Sequence, residues 1–135
     1  MEKKRSELRI KIMNILYQIE IHKMKHVEYN VDELIKQNVE IDSEFVKEIV
    51  YGVITHEDEL IKTANKYLTD WTIDRLGYTD QAILKASIYE LLYTDTPKIV
   101  CINEAVELAK AYSDDEVRKM INASLDKLYH DNESW

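Results

Sequence analysis

DSEFVKEIVYGVITHEDELIKTANKYL, residues 42–68, decides how the rest of the chain is read. Phe45, Ile49 and Val53 recur every four residues, and Val46, Val50, Ile54, Leu60, Ile61, Ala64, Tyr67 and Leu68 continue the stripe. That spacing is the period of a helix with one apolar face. Asp42 or Ser43 supplies a side chain able to cap the helix start. Gly52 is a poor helix former within the stripe, so a kink or break is expected between Gly52 and Glu57.

The same period extends outward in both directions. Upstream, KKRSELRIKIMNILYQIE (residues 3–20) places Leu8, Ile12, Ile15, Leu16 and Ile19 on one face, and the periodicity fades in HKMKHVEY. NVDELIKQNVE follows, with Asn30 as cap and Glu33 three residues on, a capping-box pattern. Downstream, DWTIDRLG reads as a short helical turn stopped by Gly77. TDQAILKASIYELLY carries Ile83, Leu84, Ile88, Leu91 and Leu92 on one side and ends before Pro97. Asn103 is the expected cap of NEAVELAKAY, with KIVCI as its packed entry. Ser113 and Glu116 form a second capping-box pattern opening DDEVRKMINASLDKLYH. No segment alternates as a strand would. The chain reads as one all-α domain over residues 1–135, with about six or seven helices.

Composition narrows the function. Two Gly and one Pro in 135 residues leave room for long helices and short loops. One cysteine, Cys101, cannot form an internal disulfide, and its default role is a buried structural thiol in a reducing cytoplasm. No run of apolar residues reaches membrane-spanning length. Single glycines make no phosphate-cradling loop, and one cysteine makes no zinc pattern. His22 and His26 lie four apart, but two separate histidines are the simpler reading. The nine tyrosines are expected mostly in the core, with hydroxyls at its rim. No constellation suggests catalysis, a metal or a cofactor.

Charge is the exception to this plain picture. The net charge is −8, yet the first eleven residues carry +3 and the remainder −11. Cations at a helix N-terminus oppose the backbone dipole, so Lys3, Lys4, Arg5, Arg9 and Lys11 leave two readings open: an ordinary solvated, frayed terminus, or an end built for an anionic partner such as phosphate. A second candidate is Tyr112-Ser113 followed by Arg118-Lys119-Met120, an aromatic at a helix start with cations one turn inside. The helix amides freed there would face the same side as Tyr112.

DQAILKASIYELLY and INEAVELAKAYSDDEVRKMINASLDKL resemble the signature region of the NusB transcription antitermination factors, without a gap from residue 80 to 128. RSELRIKIMNILYQIE resembles the arginine-rich first helix of that family. The resemblance implies two packed helical subdomains and a non-enzymatic cytoplasmic factor. It further implies binding to boxA-type single-stranded RNA together with NusE, a small-subunit ribosomal protein. Through these the factor would join the elongating RNA polymerase complex and promote ribosomal RNA transcription. Matching positions implicate Lys3, Lys4, Arg5, Arg9, Tyr17, Tyr112, Glu116, Arg118, Lys119 and Met120 in RNA contact and Asp80 in contact with NusE. Glu7, Met120 and Ala123 depart from the family pattern, which more often has a basic residue, Phe and Gly there. The competing expectation is a helical protein-binding adaptor that does not touch RNA.

Overall fold

The computed structural model describes residues 2–132, with side chains from Lys4 onward. Among them are seven α-helices, one 3₁₀ turn (Ile73–Arg75) and no strand. The helices are α1 (Glu2–Lys25), α2 (Val31–Asn38), α3 (Glu44–Thr55), α4 (Glu57–Tyr67), α5 (Tyr78–Tyr93), α6 (Lys98–Tyr112) and α7 (Asp115–Asp131). The all-α expectation is met. No helix among the described residues is long and apolar enough to cross a membrane.

Helix ends follow local chemistry. Asn30 Oδ1 accepts the Glu33 N–H at 3.0 Å and Ser43 Oγ accepts the Val46 N–H at 3.3 Å, each satisfying an orphan donor. α1 runs beyond the fading periodicity to Lys25, where His26 turns left-handed at φ 56°. The Val27 N–H then returns to the His22 carbonyl at 3.0 Å, offsetting part of the roughly 1–2 kcal/mol that this backbone conformation costs a non-glycine residue.

Four expectations change. The α3–α4 break falls at His56, inside the expected window, but Gly52 does not cause it. Gly52 is buried within α3, and a Cβ there would overlap the Tyr89 ring on α5, so its absent side chain makes room for packing. Gly77 stops nothing in a left-handed turn: its φ is −63° and it precedes α5. α6 begins at Lys98, directly after Pro97, so Asn103 lies inside the helix and caps nothing. A proline at that entrance has no N–H to leave unpaired. Finally, only Tyr89 of the nine tyrosines is buried, and Tyr17, Tyr29, Tyr51, Tyr93 and Tyr112 are exposed.

The helices share one apolar core, with α2 and α3 packed on α1, and α4, α6 and α7 on the other side of α5. α5 lies at the centre and touches α1, α3, α4, α6 and α7. Its expected one-sided stripe is therefore overtaken: from Gln81 to Leu91 only Ala86 is not buried. Polar residues on α5 are tolerated because each finds a partner. Gln81 Nε2 donates to the Leu76 carbonyl at 2.9 Å, and Ser87 Oγ donates to the Ile83 carbonyl at 2.6 Å. Lys85 Nζ donates to Glu57 Oε1 at 2.9 Å, with Glu20 at 3.9 Å. That cluster joins the start of α4 to α5 and α1.

Burial alone would raise the Glu57 carboxyl, but Lys85 and Lys23 outweigh it and hold the group below its ordinary value of 4.5. A depressed carboxylate contributes stability that is present above its unfolded value and lost as pH falls through its folded one. Wild type should therefore exceed Glu57→Gln in stability at neutral pH, and the gap should close in acid below about pH 4.5. Urea unfolding of both proteins across pH checks this; a gap that stays constant into acid would contradict it.

Candidate nucleic-acid interface

The basic start of α1 divides into residues with different surroundings. The Lys3 side chain lies outside the described residues. Lys4 is exposed. Arg5 is half-buried, with its guanidinium 4.6 Å from the centre of the Phe45 ring, a cation–π contact.

Arg9 is corrected outright: it is 5% exposed and belongs to the interior. Its Nε donates to Glu90 Oε1 at 3.0 Å and its Nη2 to Glu90 Oε2 at 2.5 Å, a two-pronged pair. Nη1 donates to Glu104 Oε1 at 2.8 Å. Ser6 Oγ also donates to Glu104. An arginine held this way ties α1 to α5 and α6 and has no guanidinium edge to offer phosphate. Cys101 lies near the cluster; burial, then the Glu90 charge, pushes its thiol up to about 12, which makes it unreactive.

The second candidate region lies at the α6–α7 junction. Tyr112 is the last residue of α6 and is 49% exposed, so its ring is a surface feature. Ser113 closes α6 by donating its N–H to the Ala109 carbonyl at 2.8 Å. Its hydroxyl donates to Asp80 at the start of α5. With that hydroxyl committed, the cap of α7 shifts to Asp114, whose Oδ1 accepts the Val117 N–H at 2.8 Å. The expected Ser113–Glu116 capping box does not form.

This shift changes the chemistry of the helix start. Asp114, Asp115 and Glu116 crowd it, so the protein's own carboxylates answer the helix dipole there. The amides beside Tyr112 are not a free phosphate site. The cations lie farther along: Lys119 is exposed, and Arg118 is half-buried with Nε 3.7 Å from Asp115 Oδ1.

Glu116, Lys119, Met120 and Ala123 come together on one side of a shallow groove of 270 Å³, with Tyr67 and Thr69 opposite. Tyr67 OH donates to Asp131 Oδ2 at 2.9 Å, and Lys127 Nζ donates to Thr69 Oγ1 at 2.7 Å. Tyr67 and Thr69 escaped the sequence reading because Tyr67 scanned as one more member of the α4 stripe. Ala123 also lines this groove.

The two regions are separate. Glu104, beside Arg9, and Tyr112 are eight residues apart on α6, about 12 Å along the axis. Tyr17 is exposed twelve residues beyond Arg5, about 18 Å along α1. Any single partner touching all of them must be extended. Asp80 is half-buried and tethered to Ser113, which joins the start of α5 to the Tyr112 region. His22 and His26 do not converge as a ligand pair: His22 Nδ1–H donates to the Gln18 carbonyl at 2.7 Å, and His26 lies past the helix end.

Comparison with known proteins identifies what carries these features. The NusB family model matches residues 6–130. The chain is 42% identical over 128 residues to the transcription antitermination protein NusB of Staphylococcus aureus, strain JH9, covering 92% of this chain and 97% of that protein. Among solved structures it is similar to one of the antitermination factors NusB and NusE in complex with double-stranded RNA. The TM-score is 0.79 at 27% identity, covering 97% of this chain and 99% of that one. It is also similar to NusB of T. maritima, with a TM-score of 0.78 at 26% identity, covering 93% and 90%.

Because Arg9 neutralises the buried Glu90 and also pairs with the part-buried Glu104, Arg9→Ala should cost about 3–5 kcal/mol of stability. Thermal and denaturant unfolding measure this. An Arg9→Ala protein as stable as wild type would return Arg9 to the list of surface cations.

Proposed function

The chain belongs to the NusB family, and from that premise we propose that it is an antitermination factor acting on boxA-type nascent RNA. In this reading it binds single-stranded RNA together with NusE in the cytoplasm and joins the elongating RNA polymerase through that assembly. It thereby promotes ribosomal RNA transcription. Lys4, Arg5 and Lys119 contact phosphates, and Tyr112 offers a ring face to a base. NusE docks toward the start of α5, near Asp80.

The observation that carries the reading is the net charge of +3 over the first eleven residues, with Lys4 and Lys11 exposed, on a chain whose remainder carries −11. An acidic body is unsuited to coating nucleic acid broadly. It suits one local RNA grip and a basic protein partner. A second reading has one observation in its favour: the carboxylates crowding the start of α7 suit a protein contact better than RNA. In that reading the chain is an adaptor without RNA contact.

Titrating boxA-type RNA over a range of salt, with and without NusE, separates the two. The RNA reading expects affinity to fall steeply with salt and to rise when NusE is present. Replacing Lys4 and Arg5 with Ala should flatten the salt slope by about one to two units. Salt-independent binding, or none with saturating NusE, favours the adaptor.

Tyr112→Ala should weaken RNA binding about ten- to hundredfold, and Tyr112→Phe should change it little, since the ring face is kept. Because the side chain is exposed, Tyr112→Ala should alter stability by no more than about 0.5 kcal/mol. Measuring affinity and melting temperature on the same variants decides; unchanged RNA affinity in Tyr112→Ala removes the ring from the site.

A further inference from the structure

We propose that the groove between the start of α1 and the α2–α3 loop seats one unpaired base of the bound RNA. The inference rests on the RNA-binding reading above and adds a specific pocket to it. The groove has a volume of 550 Å³, within the roughly 300–1,000 Å³ of small-ligand clefts. Leu8, Ile41 and Phe45 supply apolar surface, and Lys4, Arg5 and Lys11 supply the charge.

Three observations select the occupant. First, Ile41 is 72% exposed although it stands in a short connection between two well-capped helices. Together with Leu8 and Phe45, which line the same groove, it makes an apolar wall that a ligand can cover. Second, Arg5 is already held over Phe45, so a guanidinium plane stands ready on which a base can stack without first being ordered. Third, the charges are mixed. Glu7 and Glu40 also border the groove, whereas Asp42 is matched by Lys47 at 2.5 Å.

A free anion placed inside would meet those two carboxylates. A neutral heterocycle would not be repelled, because its edge carries donors that a carboxylate can accept. Its flanking phosphates would lie outside, toward Lys4 and Lys11. The groove is also continuous with the α1 cations that the RNA reading already uses. An apolar peptide side chain would use the floor, but it gives three cations nothing to bind.

The test uses the full chain with boxA-type RNA, with NusE present, and a set of the same RNA with one base removed at each position in turn. Removing the seated base should weaken wild-type binding about tenfold. Ile41→Ser and Phe45→Leu should each weaken binding of intact RNA at least threefold, and should lose nothing further with that one base-less RNA. Ile41→Ser touches an exposed side chain, so its melting temperature should match wild type and guard against a folding artefact in Phe45→Leu.

If both variants bind intact RNA as wild type does, or if their losses add to base removal at every position, the pocket is refuted and the RNA reading stands. If the variants lose NusE affinity and keep RNA affinity, the occupant is a protein side chain and the pocket is again refuted. Absence of RNA binding by wild type overturns both readings together.

Discussion

One guanidinium joins three helices. Arg9 reaches across from α1 to grip Glu90 on α5 with two parallel hydrogen bonds and Glu104 on α6 with a third. Apolar packing alone allows helices to slide and rotate at small cost, because the hydrophobic effect has no direction. A buried ion pair has direction. It tolerates only the geometry in which each charge keeps its partner, since an unpaired charge in the interior is costly. The interior Lys85–Glu57 pair, with Glu20 nearby, makes a second fixed point about one and a half turns away on α5. The first point fixes α1 against α5 and α6, and the second fixes the start of α4 against α5, with α1 and α5 packed as a pair. The remaining helices pack on that pair.

The same arrangement shapes the surface. Folding draws Arg9 inward and leaves Lys4, Arg5 and Lys11 at the groove beside the α2–α3 loop. The positive region is therefore narrower than the charge pattern suggested, and it faces a defined cleft. At the other region, the bond from Ser113 to Asp80 fixes the α6–α7 junction against the start of α5 and leaves the Tyr112 ring outside. An extended, flexible polymer with alternating charged and aromatic groups matches two such regions better than a compact ligand does.

Helices were legible in the sequence wherever one face meets the core. The stripes of α1, α3 and α4 and the caps Asn30 and Ser43 needed only spacing and side-chain chemistry. α5 was legible as a helix, but its burial on all sides was not. Lys85 and Glu90 look like surface residues until their partners, 28 and 81 positions away, are known. Arg9 was misplaced for the same reason: nothing local separates an arginine bound for an ion pair from one bound for solvent. The family resemblance grouped Glu116, Lys119 and Met120, and the three share a groove. Tyr67 and Thr69 complete that groove from another helix end, a proximity that spacing along α7 cannot encode. Ser113 failed as a cap because a distant carboxylate, Asp80, claimed its hydroxyl.

The central place of α5 also bears on how the protein is made. A chain leaving the ribosome presents α1 to α4 before α5, and the apolar faces of α1 and α4 pack chiefly on that later helix, whereas α2 and α3 can pack on α1 as soon as they emerge. Core closure must wait until residues up to Tyr93 have emerged. Arg9 must wait longer still, for Glu104 on α6. Until then part of the apolar surface of the earlier helices stays uncovered, the state in which nascent chains are prone to associate wrongly. Placing the most buried helix late makes translation itself a vulnerable interval, and for this chain that interval ends only when the C-terminal helices begin to appear.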